Sequence, residues 1–256
     1  MSNESIRPLE SRYILEMRVD ATSYSDAVKR VLGWARNGES RYVCCANVHS
    51  VMESFDSAEF RRCMNGADLV TSDGVPLVWA LRRLGVAAAS RVYGPDLMPA
   101  VLRAADGEGL RVGYYGGNIE ALKRLTELTN RQYPGLIGYS FSPPFRDLTP
   151  DEDQMVVDRI NASGVHILFV GLGCPKQEKW MAAHKDRVRA VMLGVGAAFD
   201  FLTGMKAQAP SWLQAAGLEW MFRLAVEPNR LWRRYLKNNP RFVALFAAQL
   251  MTARNS

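Results

Sequence analysis

The chain has 256 residues, 48% hydrophobic and 23% charged, with a net charge of +6, which is an ordinary globular composition. Its first twelve residues lack the apolar run of a secretory signal peptide, and the apolar stretch at 242–253 is shorter than the roughly 20 residues that span a bilayer. These features argue against a secreted protein and against an integral membrane protein. We expect one domain with a short appendage, either soluble or attached to a membrane surface.

Short apolar runs alternate with helical patterns over most of the chain, which is typical of a parallel α/β sheet. The predicted strands lie at 42–46, 67–70, 111–115, 136–140, 166–170 and 190–195. Helices are predicted at about 49–65, after Pro76, up to about residue 132, and from Thr149, where a capping hydroxyl, a proline and acidic residues suit a helix start. The predicted fold class is α/β, with a Rossmann-like, mostly parallel sheet flanked by helices.

Polar and glycine-rich turns follow these strands. Ligands of such sheets bind beyond the carboxyl ends of the strands, so one rim is expected to collect the turns into an active site. The turns contain Asn47, Asp73-Gly74, Gly116-Gly117-Asn118, the segment from Gly171 through Gly173 to Gln177, and the segment from Gly196 to Asp200.

The last part of the chain carries most of the net charge. From residue 213 onward there are seven basic and two acidic residues, which gives +5 and leaves about +1 for the first 212 residues. Basic residues recur there at helical spacing beside Trp232 and Tyr235, and Pro228 and Pro240 are expected to separate short helices. This pattern favours an anionic partner, either a membrane surface, a lipid diphosphate or nucleic acid.

Three residues are candidates for catalysis. Asp73 follows a strand, where a carboxylate can remove a proton from an acceptor hydroxyl, although capping the next helix is an equally good interpretation. Gln177 is placed to hydrogen-bond a sugar or a diphosphate, and Arg91 to clamp a phosphate; either residue alone is more often an ordinary surface residue.

Other kinds of site are disfavoured. Gly116-Gly117 before a helix suits phosphate binding, but a plain connecting turn is the commoner role. The GxGxxG and GxxxxGK[ST] motifs are missing, which argues against a dinucleotide enzyme such as a nucleotide-sugar epimerase or dehydrogenase and against a P-loop NTPase. The four cysteines and three histidines lack metal-ligand spacing, so no structural metal site is expected.

Several segments together resemble the WecG/TagA/CpsF glycosyltransferase family (glycosyltransferase family 26). The resemblance runs from about residue 42 to 241. It is carried by ANVHSVM (46–52), ADLVTSDGVPLVW (67–79), RVYGPDLM (91–98), GYYGG (113–117), GLGCPKQEKW (171–180), GVGAAFDFLTG (194–204) and APSWLQAAGLEWMFRLAVEPNRLWRRY (209–235).

The resemblance implies an inverting glycosyltransferase that uses a UDP-sugar without a metal or other cofactor. The implied acceptor is a polyprenyl-diphosphate-linked saccharide in exopolysaccharide or cell-surface polysaccharide biosynthesis. The sugar would be a hexose or N-acetylhexosamine type. The implied location is the cytoplasmic side, peripheral on the inner face of the membrane and in contact with its anionic surface rather than with nucleic acid. A homo-oligomer is possible, because the apolar faces around Trp79 and Leu97 suit either internal packing or a second copy.

The resemblance also assigns roles to residues. Asp73 matches the proposed catalytic base, and Gln177 and Arg91 match polar positions of the active site. Asp200 matches a residue near the nucleoside. The tail arginines Arg223, Arg230 and Arg233 match those thought to hold the acceptor's diphosphate or the leaving group.

The chain departs from the family pattern at two places near the expected donor pocket. Cys45 stands where a threonine is frequent, and Pro143-Pro144-Phe145 replaces a glycine-tyrosine-phenylalanine turn. The expected division is a catalytic part at 1–210 and a basic helical appendage at 211–256 that binds the membrane and the acceptor. The alternative from another class is a non-enzymatic module that binds an anionic membrane or nucleic acid, which explains the tail but not the polar rim.

Overall fold

The computed structural model describes residues 8–254, apart from the side chains of residues 215, 253 and 254. The predicted division at residue 210 also included residues 1–7 and 255–256, which lie outside the described part. Two short strands form an antiparallel hairpin near the start, β1 (Ser11–Ile14) and β2 (Met17–Asp20).

A six-stranded parallel sheet forms the centre of the molecule, so the predicted α/β fold class is confirmed. Its strands are β3 (Arg41–Ala46), β4 (Leu69–Ser72), β5 (Val112–Gly116), β6 (Ile137–Phe141), β7 (Ile167–Gly171) and β8 (Val191–Gly194). They lie in the order β4-β3-β8-β7-β5-β6, and every neighbouring pair is parallel. The strands are short and apolar because helices cover both faces of the sheet.

Helices connect and cover the strands of the sheet. Those before residue 210 are α1 (Tyr24–Arg36), α2 (Val48–Asp56), α3 (Ala58–Asn65), α4 (Val75–Arg83), α5 (Gly94–Gly107), α6 (Ile119–Gln132), α7 (Pro150–Ala162), α8 (Lys176–His184) and α9 (Ala198–Leu202). Helix α7 begins after Thr149, as the sequence suggested, and Thr149 and Glu152 form a reciprocal capping box there. The predicted helix at 49–65 is two helices, because Ser57 ends α2 in an extended conformation and caps α3 through Phe60 N–H.

Two apolar layers sandwich the sheet because side chains alternate along each strand. In β3, Cys44 and Ala46 belong to one layer, whereas Val43 and Cys45 belong to the other. The four described cysteines are free, and both Cys44 and Cys45 are buried. They behave as small core side chains.

The C-terminal part contains three further helices: α10 (Ser211–Ala215), α11 (Glu219–Val226) and α12 (Pro228–Arg254). The expectation that Pro240 separates short helices is wrong, because Pro240 lies inside α12, a continuous helix of 27 residues. Buried Leu231, Asn238 and Phe242 hold this helix against the core, and their packing outweighs the cost of an internal proline.

The far end of α12 reaches the N-terminal hairpin. Gln249 donates to Tyr13 O at 2.7 Å and accepts from Leu15 N–H at 3.0 Å. Near its middle, Arg241 forms a two-pronged ion pair with Asp56 of α2, with N–O distances of 2.7 and 2.9 Å. No helix of the described residues is both long enough and apolar enough to cross a bilayer.

Candidate active site

Asp73 lies directly after β4, at the carboxyl end of the sheet. Its N–H donates to Ala46 O at 2.9 Å, which fixes the turn to the end of β3. Its carboxylate Oδ2 accepts from Gly94 N–H, the first residue of α5, at 2.9 Å. The next helix, α4, begins at Val75 without a side-chain cap, so the capping role considered for Asp73 is not the one it plays here.

The carboxylate of Asp73 is poised to exchange a proton near neutral pH. Burial away from water raises its pKa to about 7, against the opposing effects of the Gly94 N–H and the Arg91 charge. The negative charge of Glu219 raises the pKa further, and Arg223 lowers it. A general base works best when its pKa lies close to the working pH.

Arg91 connects Asp73 to the C-terminal part. Its Nε donates to the Asp73 carbonyl at 2.6 Å, and its Nη2 bonds Glu219 Oε2 at 2.5 Å. Its guanidinium lies 4.1 Å from the centre of the Tyr93 ring, and the Tyr93 hydroxyl donates to Glu219 Oε1 at 2.9 Å. Both carboxylate oxygens of Glu219 in α11 are thus bonded to side chains of residues 91–93, and Arg91 in turn bonds the Asp73 backbone.

A cavity of about 550 Å³ opens beside Asp73, between the sheet and the C-terminal helices. Asp73 and Arg91 line it from the sheet side, and Glu219, Arg223 and Arg234 line it from α11 and α12. A carboxylate and tail cations therefore face one crevice, as expected from the sequence. A pocket of this size accommodates part of a sugar-containing ligand and provides both a proton acceptor and positive charge.

Asn47 and His49 line the same cavity at the start of α2. The Asn47 side chain accepts from His49 N–H at 3.0 Å, so it caps α2 while bordering the cavity. Asn238 of α12 contacts His49 Nδ1 at 3.1 Å. Burial, with the nearby charges of Arg234 and Lys237, lowers the pKa of His49 to about 4, so this ring is neutral at physiological pH.

Gln177 lies away from this cavity and is buried at the start of α8. Its Oε1 accepts from Gly173 N–H at 3.2 Å and from Gly196 N–H at 3.1 Å, and its Nε2 donates to Glu178 at 2.9 Å. Gln177 therefore ties together the turns after β7 and β8. The expectation that it is an ordinary surface residue, if considered alone, is wrong.

The predicted glycine turns after β5 and β7 form a second group, separated from Asp73 by strands β3 and β8. Gly117 N–H donates to Gly171 O at 2.9 Å. A Cβ on Gly171 would come within 2.6 Å of the Phe199 ring, and one on Gly116 within 2.8 Å of the Gly171 backbone. These glycines are needed for close packing, whereas Gly173 faces open space. Asn118 is exposed and caps α6 through Ala121 N–H.

The remaining predicted residues separate into two sets. Arg223 reaches the cavity and lies 5.6 Å from the Phe201 ring. Arg230 and Arg233 are exposed and do not line the cavity; Arg230 pairs with Glu227, and Arg233 lies over Trp232. Asp200 forms an ion pair with Lys206 at 2.8 Å.

Four residues of the site were not predicted. Glu219 was counted only as an acid in a basic tail, and Arg234 only as part of the stripe. His49 and Tyr93 lie inside the ANVHSVM and RVYG segments. Their positions in those segments were the available signal, but only the fold shows that His49 lines the cavity and that Tyr93 lies near Asp73. Cys45 Sγ lies close to Gly94 and Asp73, whereas Phe145 is fully exposed at the edge of the sheet.

Among the described residues, no three His, Cys, Asp or Glu side chains are grouped so that they could hold a metal ion. Of the two faces considered for oligomerisation, Leu97 is buried inside the molecule and Trp79 borders the cavity.

Comparison with known proteins identifies the family. The sequence pattern of the glycosyl transferase WecG/TagA/CpsF family matches residues 12–256. An N-acetylglucosaminyldiphosphoundecaprenol N-acetyl-beta-D-mannosaminyltransferase of Bacillus spizizenii is 33% identical over 207 residues, which cover 79% of this chain and 77% of that relative. With a matching family pattern over nearly its whole length and a relative of this similarity, the chain belongs to the WecG/TagA/CpsF family of glycosyltransferases.

Proposed function

We propose that this protein transfers a hexose or N-acetylhexosamine-type sugar from a UDP-sugar to a polyprenyl-diphosphate-linked saccharide, with inversion at the anomeric carbon. The observation that supports it most directly is the position of Asp73. Its carboxylate has a pKa near 7 and faces a cavity that also contains tail arginines. The relative from Bacillus spizizenii is named for an acceptor that carries a sugar on diphosphoundecaprenol, which agrees with this substrate class.

The proposed reaction is a single displacement. The Asp73 carboxylate takes the proton from the acceptor hydroxyl while the hydroxyl oxygen forms a bond to the donor's anomeric carbon. The bond between that carbon and the UDP oxygen breaks, and UDP leaves with the bonding electrons. Since the attack comes from the face opposite UDP, the anomeric configuration inverts.

Positive charge is needed where the diphosphate leaves. Arg91 and Arg223 line the cavity and are the residues we assign to this charge stabilisation. Arginine suits this role because its guanidinium donates paired hydrogen bonds to phosphate oxygens. We infer that transfer does not depend on a divalent metal, so activity should persist in excess EDTA.

The acceptor's lipid would place the enzyme at a membrane. The basic C-terminal helices carry exposed Trp212, Trp220 and Trp232, which suit the interface of an anionic bilayer. We propose that the protein acts peripherally on the cytoplasmic face of the membrane, in the assembly of an exopolysaccharide or cell-surface polysaccharide.

A UDP-release assay tests the proposed reaction. Candidate UDP-sugars are screened with an N-acetylglucosaminyl diphosphate acceptor on a short isoprenoid chain, and product mass confirms the transfer. With the active donor, Asp73→Asn is expected to lower kcat by about 10²–10⁴-fold, the usual contribution of a general base.

The matched control is Asp106→Asn, an exposed change in α5 that is expected to keep full activity. Circular dichroism checks that both variants fold. A folded Asp73→Asn protein with near-normal turnover would refute the assignment of Asp73 as the base.

A further inference from the structure

The cavity beside Asp73 changes character along its length. The residues of α12 that line it begin with polar side chains and end with apolar ones, in the order Arg234, Tyr235, Asn238, Asn239, Phe242, Val243, Phe246, Ala247 and Leu250. On the opposite wall, α4 contributes Val75, Trp79, Ala80 and Arg83. We call the apolar part between these helices, lined by Trp79, Ala80, Val243, Phe246, Ala247 and Leu250, the α4–α12 groove.

Both walls of this groove lead from Asp73 to the N-terminal hairpin. Helix α4 begins two residues after Asp73, and at its other end Leu84 O accepts from Arg12 Nε at 3.0 Å. Helix α12 lines the same cavity as Asp73 through Arg234 and reaches the same hairpin through Gln249. At 1.5 Å per residue, the nine residues of α4 extend about 13 Å from the carboxylate.

The groove exposes apolar side chains to water. Trp79 is 54% exposed and Val243 is 66% exposed, although both border a concave surface. Exposed apolar surface that is concave and continuous with a polar site is typical of a ligand-binding groove. Its occupant must be apolar and must join, at one end, a group that belongs among the cations beside Asp73.

The charges at the polar end restrict this occupant further. Arg234 lines the same cavity as Asp73 and lies at the polar end of the residues that α12 contributes. A molecule with an anionic head and an apolar chain satisfies both parts at once, the head beside Arg234 and the chain along the helices. Diphosphoundecaprenol in the acceptor named for the Bacillus relative has this construction.

We propose that the α4–α12 groove binds the isoprenoid units nearest the diphosphate of the lipid-linked acceptor. This inference rests on the proposed function and assigns its lipid subsite. The acceptor sugar then lies at Asp73, its diphosphate beside Arg234, and the first part of the chain between Trp79 and Val243. The enzyme therefore recognises the lipid itself and not only the sugar diphosphate.

Binding of farnesyl diphosphate and of inorganic diphosphate to the full chain tests this subsite, measured by titration calorimetry. Wild type should bind farnesyl diphosphate at least about tenfold more tightly than inorganic diphosphate, a difference of about 1.4 kcal/mol. Ala247→Trp fills the groove and Trp79→Ala removes one wall, so each should reduce this preference severalfold without changing the affinity for inorganic diphosphate.

Ala248→Trp is the matched control, because Ala248 is exposed on α12 and does not line the cavity. It should keep the wild-type preference for farnesyl diphosphate. Equal affinity of the wild-type protein for the two diphosphates would overturn the proposal. So would a full preference in both folded groove variants.

Phosphatidylglycerol vesicles distinguish an isoprenoid from a phospholipid chain. If Ala247→Trp weakens vesicle binding and leaves farnesyl diphosphate binding intact, the groove holds a membrane acyl chain and the proposal is wrong. Unchanged vesicle binding together with weakened farnesyl diphosphate binding supports it.

Failure of the subsite differs from failure of the proposed function. Transfer with the same KM to farnesyl-linked and methyl-linked N-acetylglucosaminyl diphosphate would refute the groove and leave the transferase reaction standing. Groove-dependent binding of farnesyl diphosphate, with no transfer from any UDP-sugar, would refute the proposed reaction and leave the lipid subsite standing.

Discussion

At the scale of single residues, burial has the largest influence on the pKa of Asp73 and raises it. Two side chains of opposite charge act on it as well: Arg91 lowers this pKa and Glu219 raises it. Arg91 also bonds Glu219 directly, so the two neighbours are partly neutralised by each other. The result is a carboxylate that is ionised for a substantial part of the time at neutral pH and is still basic enough to accept a proton.

Removing the charge of Glu219 is expected to shift the pH dependence of transfer. Glu219→Gln eliminates a negative charge that raises the pKa of Asp73, so that pKa should fall below about 7. Since the base acts when deprotonated, the acidic limb of the kcat/KM profile should move to lower pH. The measurement is a pH-rate profile with the active donor and acceptor.

Glu227→Gln is the matched control for this change. Glu227 pairs with Arg230 and Lys206 and does not line the cavity. It should leave the acidic limb in place. A Glu219→Gln enzyme that loses activity equally at every pH, with an unmoved limb, would show that Glu219 only holds α11 in position.

Close packing of the glycine turns is a property of the elements that meet there. The ends of β5 and β7 approach each other so closely that Gly117 N–H bonds Gly171 O, and α9 places the Phe199 ring directly against Gly171. The sequence shows glycine-rich turns at these positions, and a phosphate site was one interpretation. Close packing explains the glycine at 171, and close packing together with a φ of 106° explains the glycine at 116.

Gly171→Ala should therefore destabilise the fold. Its Cβ would lie 2.6 Å from Phe199, and overpacking of this kind typically costs about 1–3 kcal/mol. Adding Phe199→Leu in the same chain should restore part of the loss, since it removes the contacted ring atoms. Thermal denaturation of the two variants and wild type measures both effects.

Gly107→Ala provides the comparison, because a Cβ at this helical glycine would meet nothing within 4 Å. It should keep or slightly raise the melting temperature. An unchanged melting temperature for Gly171→Ala would mean that Phe199 moves aside without cost.

The strands of the sheet were predicted well because the local pattern of apolar residues determines them. All six strands of the sheet were located to within about two residues, since buried parallel strands are short apolar runs between turns. The break at Ser57 and the continuity of α12 through Pro240 were missed. The break depends on the extended conformation of Ser57, which caps α3. The continuity of α12 depends on tertiary packing, since its buried side chains hold it against the core.

The whole molecule brings together residues from distant parts of the chain. Asp73, Arg91 and the end of the sheet meet α11 and α12, which are more than 120 residues away in sequence. The charge pattern indicated a cationic tail, and the motif positions indicated a catalytic rim. The orientation of α12 decides which of its arginines enter the cavity, so Arg234 lines the cavity while Arg230 and Arg233 are exposed to solvent.

Deleting the residues after Pro210 should abolish transfer and weaken binding to anionic vesicles. The deletion removes Arg223 and Arg234 from the cavity and the basic stripe from the surface. It also uncovers apolar core residues that Phe242 now contacts, so a lower melting temperature is expected as well. Vesicle sedimentation, UDP release and thermal denaturation measure the three effects.

Point variants separate these effects from simple unfolding. Arg234→Gln, within the cavity, should reduce transfer with little change in vesicle binding, and exposed Arg233→Gln should do the reverse. Full transfer by a folded truncated protein would contradict a catalytic role for the C-terminal helices.

Because His49 contacts α12, the pKa of its imidazole depends on whether this helix is docked against α2. Asn238 of α12 lies 3.1 Å from His49 Nδ1, and Glu53 lies 3.6 Å from the same nitrogen. Burial and the charges of Arg234 and Lys237 lower the pKa of His49 to about 4. Displacing the helix would return water to the ring, and the pKa of the imidazole would rise toward its ordinary value of about 6.5. Only three histidines occur in the chain, so the NMR resonance of His49 can be followed to test whether α12 stays docked.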